Sequence, residues 1–441
     1  MTLITPRTLK GFRDLMPDQA VRRERMVRVV SAVFRAHGYR PIETPALEFA
    51  EILKGKGGEE SDKQLYEFDD AGKRRVALRF DLTVPLARFV AEHEGKLPFP
   101  FRRYHVGPVW RGERPQKGRY REFLQCDADL VGATGDAADA EMLVVIAAAY
   151  KALDVGTIVL RFNDRRVLAG LLERLDAAAL AAPVLRALDK LDKQGAEAVA
   201  KEMQTAGLSA ESADTLLDLA AMGTDDADTL ASLDRAVQGS AIGEEGVAAL
   251  GRVRDLAIAS GVDPQLLRVD PRIARGLDYY TGIVFEAHFA DAPGFGSVGG
   301  GGRYDDLAGL YTKSRLPGVG GSIGIDRLLA AVEEREGGTA AYASSDAMVV
   351  HPGAERLDVA FAFAAGLRAR GLSAEVFPEP RKHGAQMRYA DRLGIRFVFT
   401  PDESGTFHAK DLTAGETFAV ATAEEAAGQI TSRLGAPLDR P

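Results

Sequence analysis

Between Phe162 and Tyr279 the chain carries no phenylalanine, tyrosine or tryptophan. The stretch is rich instead in Ala, Leu, Asp and Glu. Pieces such as LAGLLERLDAAAL and EEGVAALGRVRDLAIASG place apolar residues at three- and four-residue steps, the period of a helix with one buried face. The segments on either side hold the aromatic residues and strand-like runs. This order predicts a helical domain, roughly residues 169–261, inserted into an α+β core made of residues 1–168 and 262–332.

The core opens with an expected helix after Pro17–Asp18. Asp18 is its candidate N-cap, Met26, Val30, Val33 and Phe34 its apolar stripe, and Gly38 its stop. An extended GYRPIETPAL follows, then the strand VALRF and a helix begun by Thr83 and Pro85. Beyond the polar joint EEREGGTAAYASS, the strands AMVVHP, AEVFP and RFVFT alternate with the helices RLDVAFAFAAGLRARG and GAQMRYADRLG. Residues 345–441 are therefore expected to form an α/β domain on a parallel sheet.

With 441 residues, 46% hydrophobic and 27% charged, the chain has enough material for two or three cores. It holds no apolar run of about 18 residues, and its start, MTLITPRTLKGF, has no apolar signal core. The expectation is a soluble, cytoplasmic chain with no membrane partner. The single cysteine, Cys126, leaves no internal disulfide and no Cys-based zinc site, and the seven histidines form no HxxxH pair. No dedicated metal cage is expected.

Against a formal net charge of −8, Lys96–Glu122 stands out. Lys96, Arg102, Arg103, Arg111, Arg114, Lys117, Arg119 and Arg121 are opposed there only by Glu113 and Glu122. Such density is either a solvated face or a seat for an anion such as a nucleotide or polynucleotide. Directly after it comes FLQCDADLV. Strand alternation puts Leu124, Cys126, Ala128 and Leu130 on one face and Gln125, Asp127 and Asp129 on the other. The preceding PVWRGE puts Val109, Arg111 and Glu113 on a common face, and RPQKG suits a hairpin turn. The polar side of this expected sheet, lined by Arg111, Glu113, Gln125, Asp127 and Asp129, has two readings. It is exposed surface with weak ion pairs, or a platform for a ligand carrying charges of both signs, such as an amino acid with a nucleotide.

A second aromatic strand is expected in RGLDYYTGIVFEAHF, followed by GFGSVGGGGRYDDL and GVGGSIGIDRLLAAV. The last of these runs into a helix with Arg327 near its start. Gly294–Gly299 formally matches GxGxxG, yet ADAP precedes it and more glycine follows, so the strand and helix of a dinucleotide site are missing. No GxxxxGK[ST] occurs, which removes a P-loop. The glycines serve either close backbone packing or close approach of a ligand.

These segments together resemble a known family. RGERPQKGRYREFLQCD resembles motif 2 of the class II aminoacyl-tRNA synthetases, and GVGGSIGIDRLL resembles motif 3 with Arg327 as its arginine. GYRPIETPALE resembles motif 1, which implies Pro45 at a dimer interface. RGLDYYTGIVFE and GGGGRYDDL are similar to the two signature segments of the histidyl-tRNA synthetases, and RFDLTVPLAR to their amino-acid-binding strand. Residues 345–441 look like the family's anticodon-binding domain. Asp81 and Asp129 stand where some bacterial members have glutamate, so the charge is kept and the reach shortened.

The resemblance implies a homodimeric ligase that joins histidine and ATP as histidyl-adenylate, then passes histidine to the 3′ end of tRNA(His). It implies Arg111 and Arg275 as catalytic residues at the α-phosphate and the histidine carboxylate. Arg111, Glu113, Arg119 and Arg327 would bind ATP, with Glu113 meeting adenine or Mg2+; the metal would be held mostly by phosphate and water oxygens. Asp81, Thr83 and Gln125 would receive the ammonium group, Asp129 and Tyr280 would bracket the imidazole, and Tyr279 and Tyr304 would wall the pocket. Arg381, Lys382, Arg388 and Arg392 are candidates for anticodon contact or ordinary surface cations. The alternative is a synthetase-like regulatory subunit that senses histidine without charging tRNA. Such relatives lack the anticodon domain and the catalytic arginines, whereas Arg111, Arg275 and Arg327 are all present here.

Overall fold

A computed structural model of the chain describes residues 3–54, 62–115, 118–221, 226–273, 279–335 and 345–434. Two compact units emerge: Met1–Asp14 with Met26–Glu334, and Leu15–Arg25 with Arg335–Pro441.

The first unit is organised by an eight-stranded sheet. Its spatial order is Arg40–Pro41, Phe101–Trp110, Glu122–Val131, Gly318–Gly324, Gly299–Tyr304, Ile283–Phe289, Ile158–Asp164 and Leu267–Val269. The pairings from Phe101–Trp110 across to Ile158–Asp164 are antiparallel, and only the two outermost pairs run parallel. A small antiparallel sheet of Leu47–Phe49, Arg75–Leu78 and Tyr66–Asp69 accompanies it. The helical insert lies between the strands Ile158–Asp164 and Leu267–Val269, from the helix Arg165–Arg174 to the helix Ala241–Ala259. It belongs to the same compact unit as the sheet. Asp164 caps its first helix by accepting the Arg166 N–H, which explains why it begins slightly before residue 169. The first and last helices of the insert cross so closely that a Cβ on Gly170 would sit 2.4 Å from Gly243 Cα.

Two glycine-rich strands form the middle of the large sheet, and each face explains part of their composition. On the underside, a Cβ at Gly299 would meet the Tyr150 hydroxyl at 2.2 Å, and one at Gly321 would meet Ile146 at 3.0 Å. Tyr150 and Ile146 belong to the helix Asp136–Leu153, so glycine lets that helix approach the sheet. On the upper face, a Cβ at Gly320 would fall 2.0 Å from Asp129 Oδ1, and one at Gly318 would fall 2.4 Å from the Tyr304 ring. There the missing side chains leave room for polar groups from neighbouring strands.

Several local expectations are corrected. Asp18 lies inside the helix Pro17–Ala36 and not before it, whereas Gly38 does follow its end with φ +82. Thr83 is the first residue of the helix Thr83–His93 and makes no cap; Asp81 accepts the Val84 N–H at 3.0 Å. Only Arg40–Pro41 of GYRPIETPAL pairs in the large sheet; of the strand expected from Arg275 onward, 275–278 lie outside the described residues, and among those described the strand is Ile283–Phe289. The turn expected at RPQKG includes residues 116 and 117, which lie outside the described residues. The strand ends at Trp110, the next begins at Glu122, and between them Arg111 N–H donates to Arg121 O at 2.9 Å.

The second unit holds a five-stranded sheet in the order Ala374–Val376, Ala347–Val349, Phe397–Pro401, Phe407–Asp411, Thr417–Val420. The first three strands are parallel, as expected, and the last two add an antiparallel extension that the sequence reading missed. Phe363 stacks on Phe407 with ring centroids 3.7 Å apart inside its core.

Gly301→Ala tests the packing argument for the sheet. Its Cβ would meet Gly320 O at 2.0 Å and Phe285 at 2.7 Å, so the substitution is expected to cost about 1–3 kcal/mol of stability. An unchanged urea midpoint would contradict it.

Candidate active site

Register places the site's side chains in rows. On the upper face Arg103 pairs with Asp129, which pairs with Gly320, which pairs with Gly302. In the next row His105, Asp127, Ser322, Gly300 and Glu286 follow one another. Opposed residues in an antiparallel pair share a face, so these rows bring Asp129, Gly320, Asp127, Ser322, Gly300 and Glu286 onto one cavity, with Arg103 and His105 at the strand beside it. That cavity has a volume of about 330 Å3, within the range of small-ligand sites. Asp81, Thr83, Arg111, Glu113, Arg119, Gln125, Asp129, Tyr279, Tyr280, Tyr304 and Arg327 all line it. The residues singled out from sequence for ATP and histidine thus converge, except that Arg275 lies outside the described residues. Pro45, expected at a dimer interface, is exposed and lines no part of the cavity.

The two ends differ in charge. Arg111, Arg119 and Arg327 are half-buried. Arg111 is steadied by donating Nε to Phe80 O at 2.9 Å, with its guanidinium 5.2 Å from the centre of the Phe123 ring. Arg327 donates Nη2 to Phe295 O at 2.8 Å. Glu113 stands 4.0 Å from Arg119. Contrary to expectation, Arg111 and Glu113 lie beyond the strand's end and not on it. They reach the cavity from the connection after that strand.

The other end is deep and acidic. Asp81, Asp127 and Asp129 are buried. Burial pushes Asp81 up to about 6 and Asp127 up to about 7, and raises Asp129 as well, with nearby arginines only partly offsetting it. Tyr304 donates its hydroxyl to Asp129 Oδ1 at 2.5 Å. It therefore anchors that carboxylate as well as walling the pocket. Tyr279 packs edge-on against both Tyr280 and Tyr304, and its hydroxyl lies 3.5 Å from Asp81 Oδ2.

Sequence reasoning missed Arg103 and His105, because RRYH was read only as part of a charge run. Arg103 is fully buried and pairs with Asp129 at 2.6 Å. His105 is held neutral, pushed down to about 3 by burial and by Arg103 and Arg79. Their alternation with Tyr104 was the available signal. Ser322, which accepts from Gln125 Nε2 at 2.9 Å, was missed as well. So was the N-terminal segment, where Arg13 bridges to Asp326 at 2.5 Å and lies over the Tyr120 ring.

A carboxyl raised above its ordinary range keeps its proton in the folded chain where the unfolded chain has lost it. Its effect on stability is most favourable at low pH and fades as pH rises through the folded value. Relative to Asp127→Asn, wild type should therefore lose stability progressively from about pH 4 to about pH 7, the interval between its ordinary and folded values, with little further change above that. Calorimetry of the ligand-free proteins checks this; parallel curves would contradict it.

Comparison with known proteins agrees with this geometry. The histidyl-tRNA synthetase family model matches residues 11–328. The histidine–tRNA ligase of Rhodopirellula baltica is 47% identical, covering 98% of this chain and 99% of that protein. The crystal structure of histidyl-tRNA synthetase from a Nostoc species superposes with TM-score 0.88 at 32% identity, over 98% of this chain and 100% of that one. A Bacillus halodurans structure described as an ATP phosphoribosyltransferase regulatory subunit/histidyl-tRNA synthetase shares the fold with TM-score 0.75 at 21% identity, covering 88% of this chain and 97% of that one.

Proposed function

The chain belongs to the histidyl-tRNA synthetase family, and from that premise we propose how its cavity works. It is a ligase that charges tRNA with histidine, using ATP. The observation that carries the site assignment is the polarity of the cavity, with arginines at one end and buried carboxylates at the other. An amino acid whose carboxylate must meet a triphosphate has the matching polarity.

In the first step a carboxylate oxygen of histidine bonds to the α-phosphorus, and the bond to the β-phosphate oxygen breaks to release pyrophosphate. Arg111 is assigned to the carboxylate and α-phosphate, because a planar guanidinium offers two parallel donors. Arg275 is assigned to the same phosphate from the family resemblance. Arg119 and Arg327 take the β- and γ-phosphates. These groups orient two anions and stabilise the charge that builds in the transition state. In the second step a hydroxyl of the terminal adenosine of the tRNA attacks the histidyl carbonyl and AMP leaves.

Asp81, Thr83 and Gln125 are assigned to the ammonium group, and Asp129 with Tyr280 to the imidazole. With Asp129 held by Tyr304, a substrate lacking ring N–H groups would leave buried polar atoms unpaired. Mg2+ belongs with the nucleotide in this scheme. Among the described residues no group of three acidic, histidine or cysteine side chains could hold a metal, and Glu113 is the carboxylate at the phosphate end. The ion would neutralise phosphate charge and favour departure of pyrophosphate.

Three finer assignments follow. Leu47, Phe49 and Phe68 remain 40%, 49% and 43% exposed on the small sheet, and Pro45 is exposed close by in the chain. We assign this apolar face to a second copy of the chain. Arg381, Lys382, Arg388 and Arg392 are exposed in the second unit, with Arg388 and Arg392 one turn apart on the helix His383–Arg392; they are assigned to the anticodon arm. No described helix is long and apolar enough to cross a membrane, in keeping with a place in the cytoplasm.

Amino-acid-dependent ATP–pyrophosphate exchange tests the activation step. Histidine alone of the standard amino acids should support it, and Arg111→Ala should lower it by about 100-fold or more with the melting temperature kept. Exchange with a different amino acid would overturn the pocket assignment. Phe49→Glu should shift the protein from dimer to monomer in light scattering; an unchanged mass would remove this face as the interface.

A further inference from the structure

The three buried carboxylates of the cavity are not equally engaged. Asp129 accepts the Tyr304 hydroxyl on Oδ1, and its Oδ2 lies 2.6 Å from the Arg103 guanidinium in an ion pair. Asp81 accepts the Val84 N–H and lies near the Tyr279 hydroxyl. Asp127 differs. It lines the cavity while only 2% exposed, and its Oδ1 has no hydrogen-bond partner in the protein. Gln125, two residues away on the same face, is in a like position. Its Nε2 is engaged by Ser322, which leaves Oε1 without a donor. Ser322 hydrogen-bonds the Asp127 carboxyl, yet Asp127 Oδ1 and Gln125 Oε1 remain two neighbouring acceptors on a buried floor without donors in the protein. A buried acceptor without a partner costs about 1–3 kcal/mol, so the arrangement makes sense when a ligand supplies the donors.

We propose that Asp127 is a further specificity-determining residue, the counter-charge that shares the substrate's ammonium group with Gln125. The proposal rests on the reading of this cavity as the histidine site and extends it to a residue outside the set implied by the family resemblance. An ammonium group carries three donors, enough to reach both orphaned acceptors and one more. The formal charges around Asp127 support it. Asp81, Asp129 and, in the same row, Glu286 are acidic; Arg103 pairs with Asp129, and its charge also favours ionisation of Asp127 without outweighing burial. Arg79 donates to Pro108 O and Thr44 O, and His105 is neutral. The floor therefore holds more carboxyls than cations, with burial opposing their ionisation until a cation arrives. Gly300 lies beyond Ser322 in the row of Asp127 and keeps the floor open.

The test separates the ammonium from the rest of the substrate. Histidinol keeps the ammonium and lacks the carboxylate; imidazolepropionate keeps the carboxylate and lacks the ammonium. For the full-length Asp127→Asn variant, calorimetric titration should show histidinol binding weakened by about tenfold or more, with imidazolepropionate changed by less than about twofold. In pyrophosphate exchange the KM for histidine should rise while the KM for ATP stays near wild type, and Asp127→Glu should recover part of the histidinol affinity. Equal penalties on both analogues, or none on either, would overturn the proposal while wild-type binding of histidinol kept the histidine site intact. Failure of wild type to bind histidinol or histidine would instead overturn the underlying reading, and this inference with it.

Discussion

The ion pair between Arg103 and Asp129 is the constraint around which the site is arranged. Both side chains are buried, and their nitrogen and oxygen approach to 2.6 Å. A pair like this is a poor way to gain stability, since removing two charges from water offsets most of their attraction. Breaking it is another matter: loss of one partner strands a buried charge and costs about 3–5 kcal/mol. Once the pair is present, its neighbours are restricted. Asp129 needs a second donor, which Tyr304 supplies. The strand beside it must carry glycine at 320, because a Cβ there would land on the carboxylate, and at 318, because one would land on the Tyr304 ring. The position of an acidic group at the cavity floor thus dictates the composition of strands far away in sequence.

The same glycines answer to the opposite face. Gly299, Gly301 and Gly321 clear space for the helix Asp136–Leu153 and the Phe285 ring, while Gly300, Gly302 and Gly320 clear space above. Because the side-chain period of a strand is two, a ribbon squeezed from both sides loses side chains at consecutive positions, as in Gly299–Gly302. Such a ribbon is held by its pairing with the flanking strands, not by its own packing. The buried bridge from Arg303 to Asp139, at 2.7 Å, adds a further tie between the ribbon and that helix.

Much of this was legible in the sequence. The alternation in FLQCDADLV separated a core face from a polar face, and the structure keeps that separation. It was less informative about Arg111 and Glu113. Alternation assumes that a strand continues, and this one ends at Trp110, where Gly112 N–H turns to Gln64 O. Arg103 and His105 escaped notice because adjacent cations in an acidic protein read as a solvated run; only the register opposite Asp129 and Asp127 reveals them as buried supports of the floor carboxylates. In the second unit, FHAKD alternates buried and exposed positions with a buried aspartate at its end. Asp411 is held there by Arg396 at 2.9 Å, a long-range partner that no local pattern announces.

Orientation follows from how unevenly the charges are buried. The carboxylates lie where water is excluded, so each uncompensated one strongly favours a cation in contact with it. The arginines sit nearer the rim, where solvent weakens their pull but lets them move with a large phosphate-bearing partner. A zwitterion entering this cavity is therefore sorted by depth: its ammonium is driven inward, and its carboxylate is left facing the arginines. That is the geometry needed for attack on a phosphate held at the rim, and it arises without any positive balance in the chain as a whole. The net charge of −8 describes the average surface. The direction in which the substrate lies is set by a local gradient, from half-buried guanidinium groups down to a floor where an anionic oxygen has no partner of its own.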